Sequence, residues 1–215
     1  MTETTSPTDW MELLECPAHP SPSDAFFTSQ EDWWNNACLN WCHDGWGLYA
    51  SGYKDAADRL VKGVEANGTG QDTLVYPVLF LYRQYLELQF KDLIRQARRL
   101  LDKPSTFPKG HHIGKLWQVC HGLLSEVAPN ESVAELNEIT RLIEEFSSVD
   151  PSSEAFRYPQ DLAGNPTLPG IRYINLRNVR EVVEKVSFIL GGAEAQIGEY
   201  LSIKRDMESE FRGEC

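Results

Sequence analysis

The sequence lacks a long uncharged apolar run, a secretory signal and an excess of basic residues. No run reaches the roughly 20 apolar residues that span a bilayer, because the best candidate, Leu74 to Phe90, contains Arg83 and Glu87. The first residues contain neither the basic start nor the apolar segment of a secretory signal. The formal net charge of −12 argues against generic binding to nucleic acid or anionic membranes. We therefore expect a cytoplasmic protein that binds neither membranes nor double-stranded DNA.

Motifs of several common active sites are also missing. The chain contains no glycine-rich phosphate loop, no nucleophile elbow and no His-Glu-x-x-His sequence. Its five cysteines are scattered, and this pattern favours free thiols over a disulfide framework. A zinc site is the alternative, because Cys38 and Cys42 would share a helical face beside His43, but only distant Cys120 and His121 could complete it. We predict no metal and no cofactor.

The apolar periodicity predicts an all-α fold. Apolar residues recur at three- and four-residue spacing in five segments, which indicates an up-and-down bundle of about five helices. The expected helices cover roughly 28 to 65, 73 to 103, 111 to 127, 132 to 146 and 175 to 203. Ser132 and Glu135 form a capping box for the fourth helix, and Gly191-Gly192 is a candidate bend in the fifth.

The remaining segments differ in composition from these helices. Residues 1–27 are rich in proline and predict an irregular arm before the bundle at 28–203. Residues 147–174 form a long connection whose aromatic and apolar content favours an ordered loop. Residues 204–215 are charged and are expected to fray as a tail.

The second predicted helix has charged residues on an otherwise apolar segment. Arg83, Glu87 and Lys91 are four residues apart, so their side chains lie along one helical face. Charged groups beside a core are costly unless they are paired or functional. We predict that they line one polar cleft and that Arg157 reaches it, for instance by pairing with Glu87.

Positive charge is concentrated in one segment of this acidic chain. Residues 91–115 contain seven Lys and Arg residues against Asp92 and Asp102, with His111 and His112 beside them. One interpretation is a solvated helix end, whose basic residues complement the helix dipole. The other is an anion site for a nucleotide or RNA.

Three short motifs, in this order, resemble the HEPN domain, an all-helical family. They are Gln-x-x-Glu-x-x-x-Lys on the second helix, a His-led sequence at the start of the third, and Arg-Tyr-Pro after the fourth. The matching positions are Gln84, Glu87, Lys91, His112, Leu116, Arg157, Tyr158, Pro159 and Asp161. The resemblance implies a helical bundle, often a symmetric dimer, with polar residues gathered in a cleft. The expected ligand-binding residues are Arg83, Glu87, Lys91, His111, Tyr158 and Asp161.

One family motif is absent. Catalytically active relatives resemble one another in an Arg followed, after four to six residues, by a His, and no His of this chain follows that pattern. We therefore predict a binding or accessory module for a nucleotide or RNA, within a bacterial toxin or phage-defence system. The alternatives are a divergent metal-independent ribonuclease using His112 and Arg157, and a structural oligomerisation protein. Aromatic residues on the first predicted helix favour a homodimer.

Overall fold

The described part of the chain folds into five α-helices. A computed structural model describes residues 19–42, 44–129 and 134–213. The helices are α1 (Trp46–Asn67), α2 (Gln71–Leu100), α3 (Ile113–Val127), α4 (Ala134–Val149) and α5 (Leu176–Gly213). Apart from one isolated bridge between Gln160 and Pro166, these residues form no strand. The all-α prediction is confirmed.

The chain divides into two compact units, residues 1–41 and 42–215. In the first unit, residues 19–41 are irregular except for a short 3₁₀-helix, Trp33–Asn35. The prediction of a helix from about residue 28 is wrong. The Asn36 amide exchanges hydrogen bonds with the Gln30 backbone, at 3.0 and 2.7 Å, and such local bonds compete with a helix. Cys38 and Cys42 therefore share no helical face.

The second unit contains all five α-helices, and α2 is its central element. It packs against α1, α3 and α5, while α4 packs against α3. The aromatic rings of Phe90 on α2 and Trp117 on α3 have centroids 5.1 Å apart in the core. Elsewhere on α2, the Tyr82 hydroxyl donates a 2.6 Å hydrogen bond to Asp58 on α1. Burial raises the pKa of Tyr82 above its usual value, and the bond to Asp58 adds to this.

The observed helix ends agree with the predicted ones where glycine and proline set them. Gly68 has a φ of +67° and Gly70 a φ of +87° between α1 and α2, and this left-handed region favours glycine. Leu100 ends α2 four residues before Pro104. The first part of the predicted capping box for α4, Ser132, lies outside the described residues.

Helix α5 is longer and less interrupted than the sequence predicts. It continues through Gly191-Gly192 without a break and runs to Gly213, so residues 204–213 continue the helix rather than follow it as a tail. The Lys204 ammonium explains part of this order, because it contacts the Leu100 carbonyl at 3.0 Å and Asp102 at 2.6 Å. Within the described residues, no helix has the length and apolar character needed to cross a membrane.

Candidate functional site

The charged residues of α2 form a buried pair. Arg83 and Glu87 both have an exposed fraction of 0%, and Arg83 Nη1 lies 3.1 Å from Glu87 Oε2. Their four-residue spacing places them one helical turn apart on the same face, as the sequence predicts. A buried guanidinium must fill its remaining donor positions as well.

Arg83 uses those donors to join three segments of the chain. Its Nε atom lies 3.2 Å from Asp150 Oδ2 and 3.3 Å from the Asp150 carbonyl oxygen. Its Nη2 atom donates to the His111 carbonyl at 2.5 Å. The side chain therefore links α2 to the residue after α4 and to the turn before α3.

The second carboxylate oxygen of Glu87 also has partners within the protein. Glu87 Oε1 accepts from Lys91 Nζ at 2.7 Å and lies 2.8 Å from His111 Nδ1. Burial by itself raises the pKa of the Glu87 carboxyl, but the bonds from Lys91 and His111 outweigh it and hold the pKa below its usual value.

Arg83, Glu87, Lys91, His111 and Asp150 together are called the α2 ion network. Apart from His111, the two cations of the network, Arg83 and Lys91, balance its two carboxylates, Glu87 and Asp150. The network therefore brings together four predicted site residues. Arg83, Glu87 and Asp150 are buried and hydrogen-bonded, whereas the His111 side chain is 64% exposed. Its buried part links three segments of the fold.

Asp150 is the network residue that no sequence pattern assigns to the site. Its Oδ2 atom binds Arg83, while Oδ1 accepts from the backbone N–H groups of Glu154 at 2.8 Å and Ala155 at 3.0 Å. One buried carboxylate thus fixes the start of the long loop to α2. Its only sequence signal is an acid directly before Pro151, a pattern that also marks an ordinary helix end.

Arg157 does not reach Glu87, so the predicted pairing is wrong. Its Nε atom donates to the Ser153 carbonyl, and its guanidinium lies 5.7 Å from the centroid of the Phe80 ring and 5.4 Å from that of Tyr158. No carboxylate among the described residues lies within ion-pair distance of it. The physical reason is that Arg83, Lys91 and His111 already occupy Glu87.

His112 lies close to the same loop. Its Nδ1 atom is 3.1 Å from the Pro151 carbonyl oxygen, and because a carbonyl only accepts, Nδ1 carries the proton. The ring is exposed and makes no capping hydrogen bond to α3. His112 and Arg157 are therefore both attached to carbonyls of the short segment 151–153.

Tyr158 and Asp161 have different positions on the loop. Tyr158 is 54% exposed, and its ring contacts Arg157. Asp161 Oδ1 accepts from the backbone N–H groups of Ala163 and Asn165, each at 2.9 Å, which closes a tight turn. Hydrogen bonds from the Asn165 side chain and backbone hold the pKa of Asp161 below its usual value. Asp161 shapes the loop.

Most basic side chains of the segment 91–115 are bonded to groups of the protein itself. Lys91 pairs with Glu87, Arg95 with Asp44 and Asp92, and Lys103 with Glu126. Arg98 donates to the Pro104 carbonyl. Arg99, Lys109 and Lys115 are exposed, and none of them forms an ion pair with a described residue. The paired bases thus lie in the first half of this segment, whereas Lys109 and Lys115 in the second half are exposed and form no ion pair with a described residue.

Neither a metal-ligand cluster among the described residues nor a match to a known protein points to a function. The described residues contain no group of three or more His, Cys, Asp or Glu side chains that could hold a metal ion. Cys120 lies fully buried in the core, where burial raises the pKa of its thiol. No family model, curated protein or solved structure matches the chain. The HEPN resemblance consequently stays a prediction that rests on its short motifs.

Proposed function

We propose that this chain is a HEPN-like binding module that recognises the phosphate groups of a nucleotide or of single-stranded RNA. The binding surface is the cation rim, defined as Lys109, His112, Lys115 and Arg157. The main support for this proposal is that the rim and the α2 ion network differ in charge balance. The network neutralises its own charges, whereas no member of the rim has a carboxylate partner among the described residues.

The positions of the rim residues suit phosphate recognition. Lys109 and His112 precede α3 and Lys115 lies in its first turn, while His112 and Arg157 contact the carbonyls of Pro151 and Ser153. The Arg157 guanidinium lies over the Phe80 and Tyr158 rings, which restrict its position while leaving its Nη donors available. The exposed Tyr158 ring supplies a surface on which a base can stack.

The overall charge limits the kind of nucleic acid that fits. A net charge of −12 repels a long duplex, whereas a local cluster of a few cations can hold a single phosphate or a short strand. The resemblance adds a cytoplasmic toxin or phage-defence setting and a homodimer. Exposed Trp33, Trp34 and Trp41 support self-association, which light scattering tests against the 24.4 kDa monomer.

Fluorescence anisotropy with a labelled single-stranded RNA oligonucleotide tests the proposal. We expect saturable binding that weakens with salt, and Arg157→Ala should reduce the affinity by about tenfold and lower the salt slope by about one. Arg99→Ala is the matched control, because Arg99 is an exposed base outside the rim. Equal losses in both variants, or no binding by the wild type, would exclude the rim as the site.

A ribonuclease is the second candidate, favoured by the orientation of His112. Its Nδ1–H bond to Pro151 leaves Nε2 available to accept the 2′-hydroxyl proton, and Arg157 can stabilise developing phosphate charge. Total RNA incubated in EDTA should then be cleaved, and His112→Ala or Arg157→Ala should each lower the rate by about 10²–10⁴ with unchanged circular dichroism. RNA binding without cleavage supports the binding module.

A further inference from the structure

Two adjacent histidines before α3 are attached to the protein in the same way. His111 Nδ1 lies 2.8 Å from Glu87 Oε1, and His112 Nδ1 lies 3.1 Å from the Pro151 carbonyl oxygen. Both histidines are exposed. In the part of the chain that the structure describes, neither Nε2 atom has a hydrogen-bond partner. Each ring is therefore held at one nitrogen, and its other nitrogen is available to a ligand.

Both anchoring groups are connected to one buried guanidinium. Arg83 contacts Glu87 Oε2 at 3.1 Å and, at 3.3 Å, the carbonyl oxygen of Asp150, the residue before Pro151. Its Nη2 atom also donates to the main-chain carbonyl of His111. Because Arg83 is fully buried, both the backbone and the ring of His111 are fixed from the interior. A residue that transfers a proton needs such a fixed position.

The two anchoring groups differ in charge, and this difference gives the two rings different roles. Glu87 is a buried carboxylate, whose negative charge is the counter-ion of a protonated His111 ring. A ring in that form donates a proton from Nε2. Pro151 offers an uncharged carbonyl, which keeps the proton of His112 on Nδ1 and leaves Nε2 as an acceptor. His111 is therefore suited to supply a proton, and His112 to accept one.

The backbone directs the two rings to opposite sides. His112 is extended, with φ −75° and ψ 99°, and neighbouring side chains of an extended segment leave it on opposite sides. The attacking and leaving oxygens of an in-line displacement at phosphorus also lie on opposite sides. A phosphate over this segment can therefore lie between the two rings. The rim residues Lys109 and Lys115 precede and follow the histidines in the chain.

We propose that His111 is the general acid of an RNA-cleaving site in which His112 is the general base. This inference rests on the ribonuclease that is the second candidate function. His112 Nε2 takes the proton of the 2′-hydroxyl, and the 2′-oxygen forms a bond to the adjacent phosphorus. The bond from phosphorus to the 5′-oxygen breaks, and this oxygen takes the proton of His111 Nε2.

The products are a 2′,3′-cyclic phosphate and a 5′-hydroxyl. Solvent then carries a proton from His112 to His111, which restores both rings. Glu87 takes no part in the bond changes and acts as a positioning residue for His111.

Cleavage of two substrates with different leaving groups tests the assignment. A uridine dinucleotide has a poor leaving group that needs an acid, whereas uridine 3′-(4-nitrophenyl) phosphate has a good one that departs without an acid. His111→Ala should lower the cleavage rate of the dinucleotide by about 10²–10⁴ and that of the aryl ester by less than about tenfold. His112→Ala should lower both rates by about 10²–10⁴.

Two further variants and a folding check accompany these measurements. His111→Ala keeps the main-chain carbonyl that Arg83 binds, so its circular dichroism should match that of the wild type. His19→Ala is the matched control, because His19 is an exposed histidine outside the pair, and it should leave both rates unchanged. Glu87→Gln should show the same preference between substrates as His111→Ala but a smaller loss, since the amide keeps an acceptor for Nδ1 without the charge.

Three results would overturn the proposal. Equal losses on both substrates in His111→Ala would show that His111 is not the acid. Binding of RNA by the wild type without cleavage of either substrate would remove the acid–base pair and leave the binding module in place. Absence of both binding and cleavage would contradict the proposed binding function as well.

Discussion

The α2 ion network and the loop from Arg157 to Asp161 contain the same kinds of side chain in opposite physical states. Arg83 is fully buried and bonded to three segments, whereas Arg157 is exposed and held by one carbonyl and two rings. Glu87 is buried between cations, whereas Asp161 binds the backbone of its own turn. Residue type and spacing therefore locate a charged group but do not decide whether it stabilises the fold or remains available to a ligand.

The largest expected effect comes from removing the central cation of the network. Arg83→Met leaves two buried carboxylates without their shared partner, and breaking a buried pair in this way costs about 3–5 kcal/mol. Arg83→Lys should be intermediate, because one ammonium cannot reach all three segments. Urea denaturation at pH 7, followed by circular dichroism, measures the free energy of unfolding of each variant.

Arg157→Met is the matched substitution in the loop from Arg157 to Asp161. Because Arg157 is exposed and unpaired with any described carboxylate, its loss should change the free energy of unfolding by no more than about 0.5 kcal/mol. Similar destabilisation by the Arg83 and Arg157 variants would show that the two arginines do not differ in role.

The next effect concerns pH. Because the pKa of Glu87 is lowered in the folded protein, its ionised form contributes stability above the usual value of 4.5, and this contribution is lost as the pH falls through the folded pKa. Glu87→Gln removes this titration. The difference in unfolding free energy between wild type and variant should therefore be largest near neutral pH and shrink below about pH 4.5. A difference independent of pH would mean that Glu87 is not the titrating group.

The smallest expected effect is confined to the loop. Asp161→Ala removes the acceptor that closes the turn at 160–166, so amide exchange there should become faster while the thermal midpoint stays unchanged. Asp161→Asn should show an intermediate rate, since one amide oxygen can still accept from Ala163 and Asn165. Hydrogen exchange followed by mass spectrometry measures both. A lowered thermal midpoint would instead make this turn part of the cooperative fold.

Much of the fold could be predicted because α2, α3 and α5 have strong apolar periodicity. The predicted limits of α2 differ from the observed ones by only a few residues, since glycine precedes the helix and Pro104 follows it. The region around Trp34 and Trp41 also has helical spacing, yet it is irregular. The hydrogen bonds between Gln30 and Asn36 stabilise the observed conformation there, and the spacing of apolar residues does not reveal such bonds.

The site was predictable only in part, for a different physical reason. Arg83, Glu87 and Lys91 meet because they share one helical face, which spacing alone reveals. Asp150 lies 67 residues from its partner Arg83, so only tertiary packing identifies the pair. The position of Arg157 is equally hidden from the sequence, because Glu87 is already bonded to Arg83, Lys91 and His111.

The contacts of Arg83 also have a consequence for the order of folding. They join residues 67 and 28 positions apart in sequence, and such long-range contacts form only after the intervening helices have been brought together. We expect the network to be absent from the folding transition state. Asp150→Ala should then accelerate unfolding much more than it slows refolding in stopped-flow measurements. Slowed refolding with an unchanged unfolding rate would place Asp150 in the folding nucleus instead.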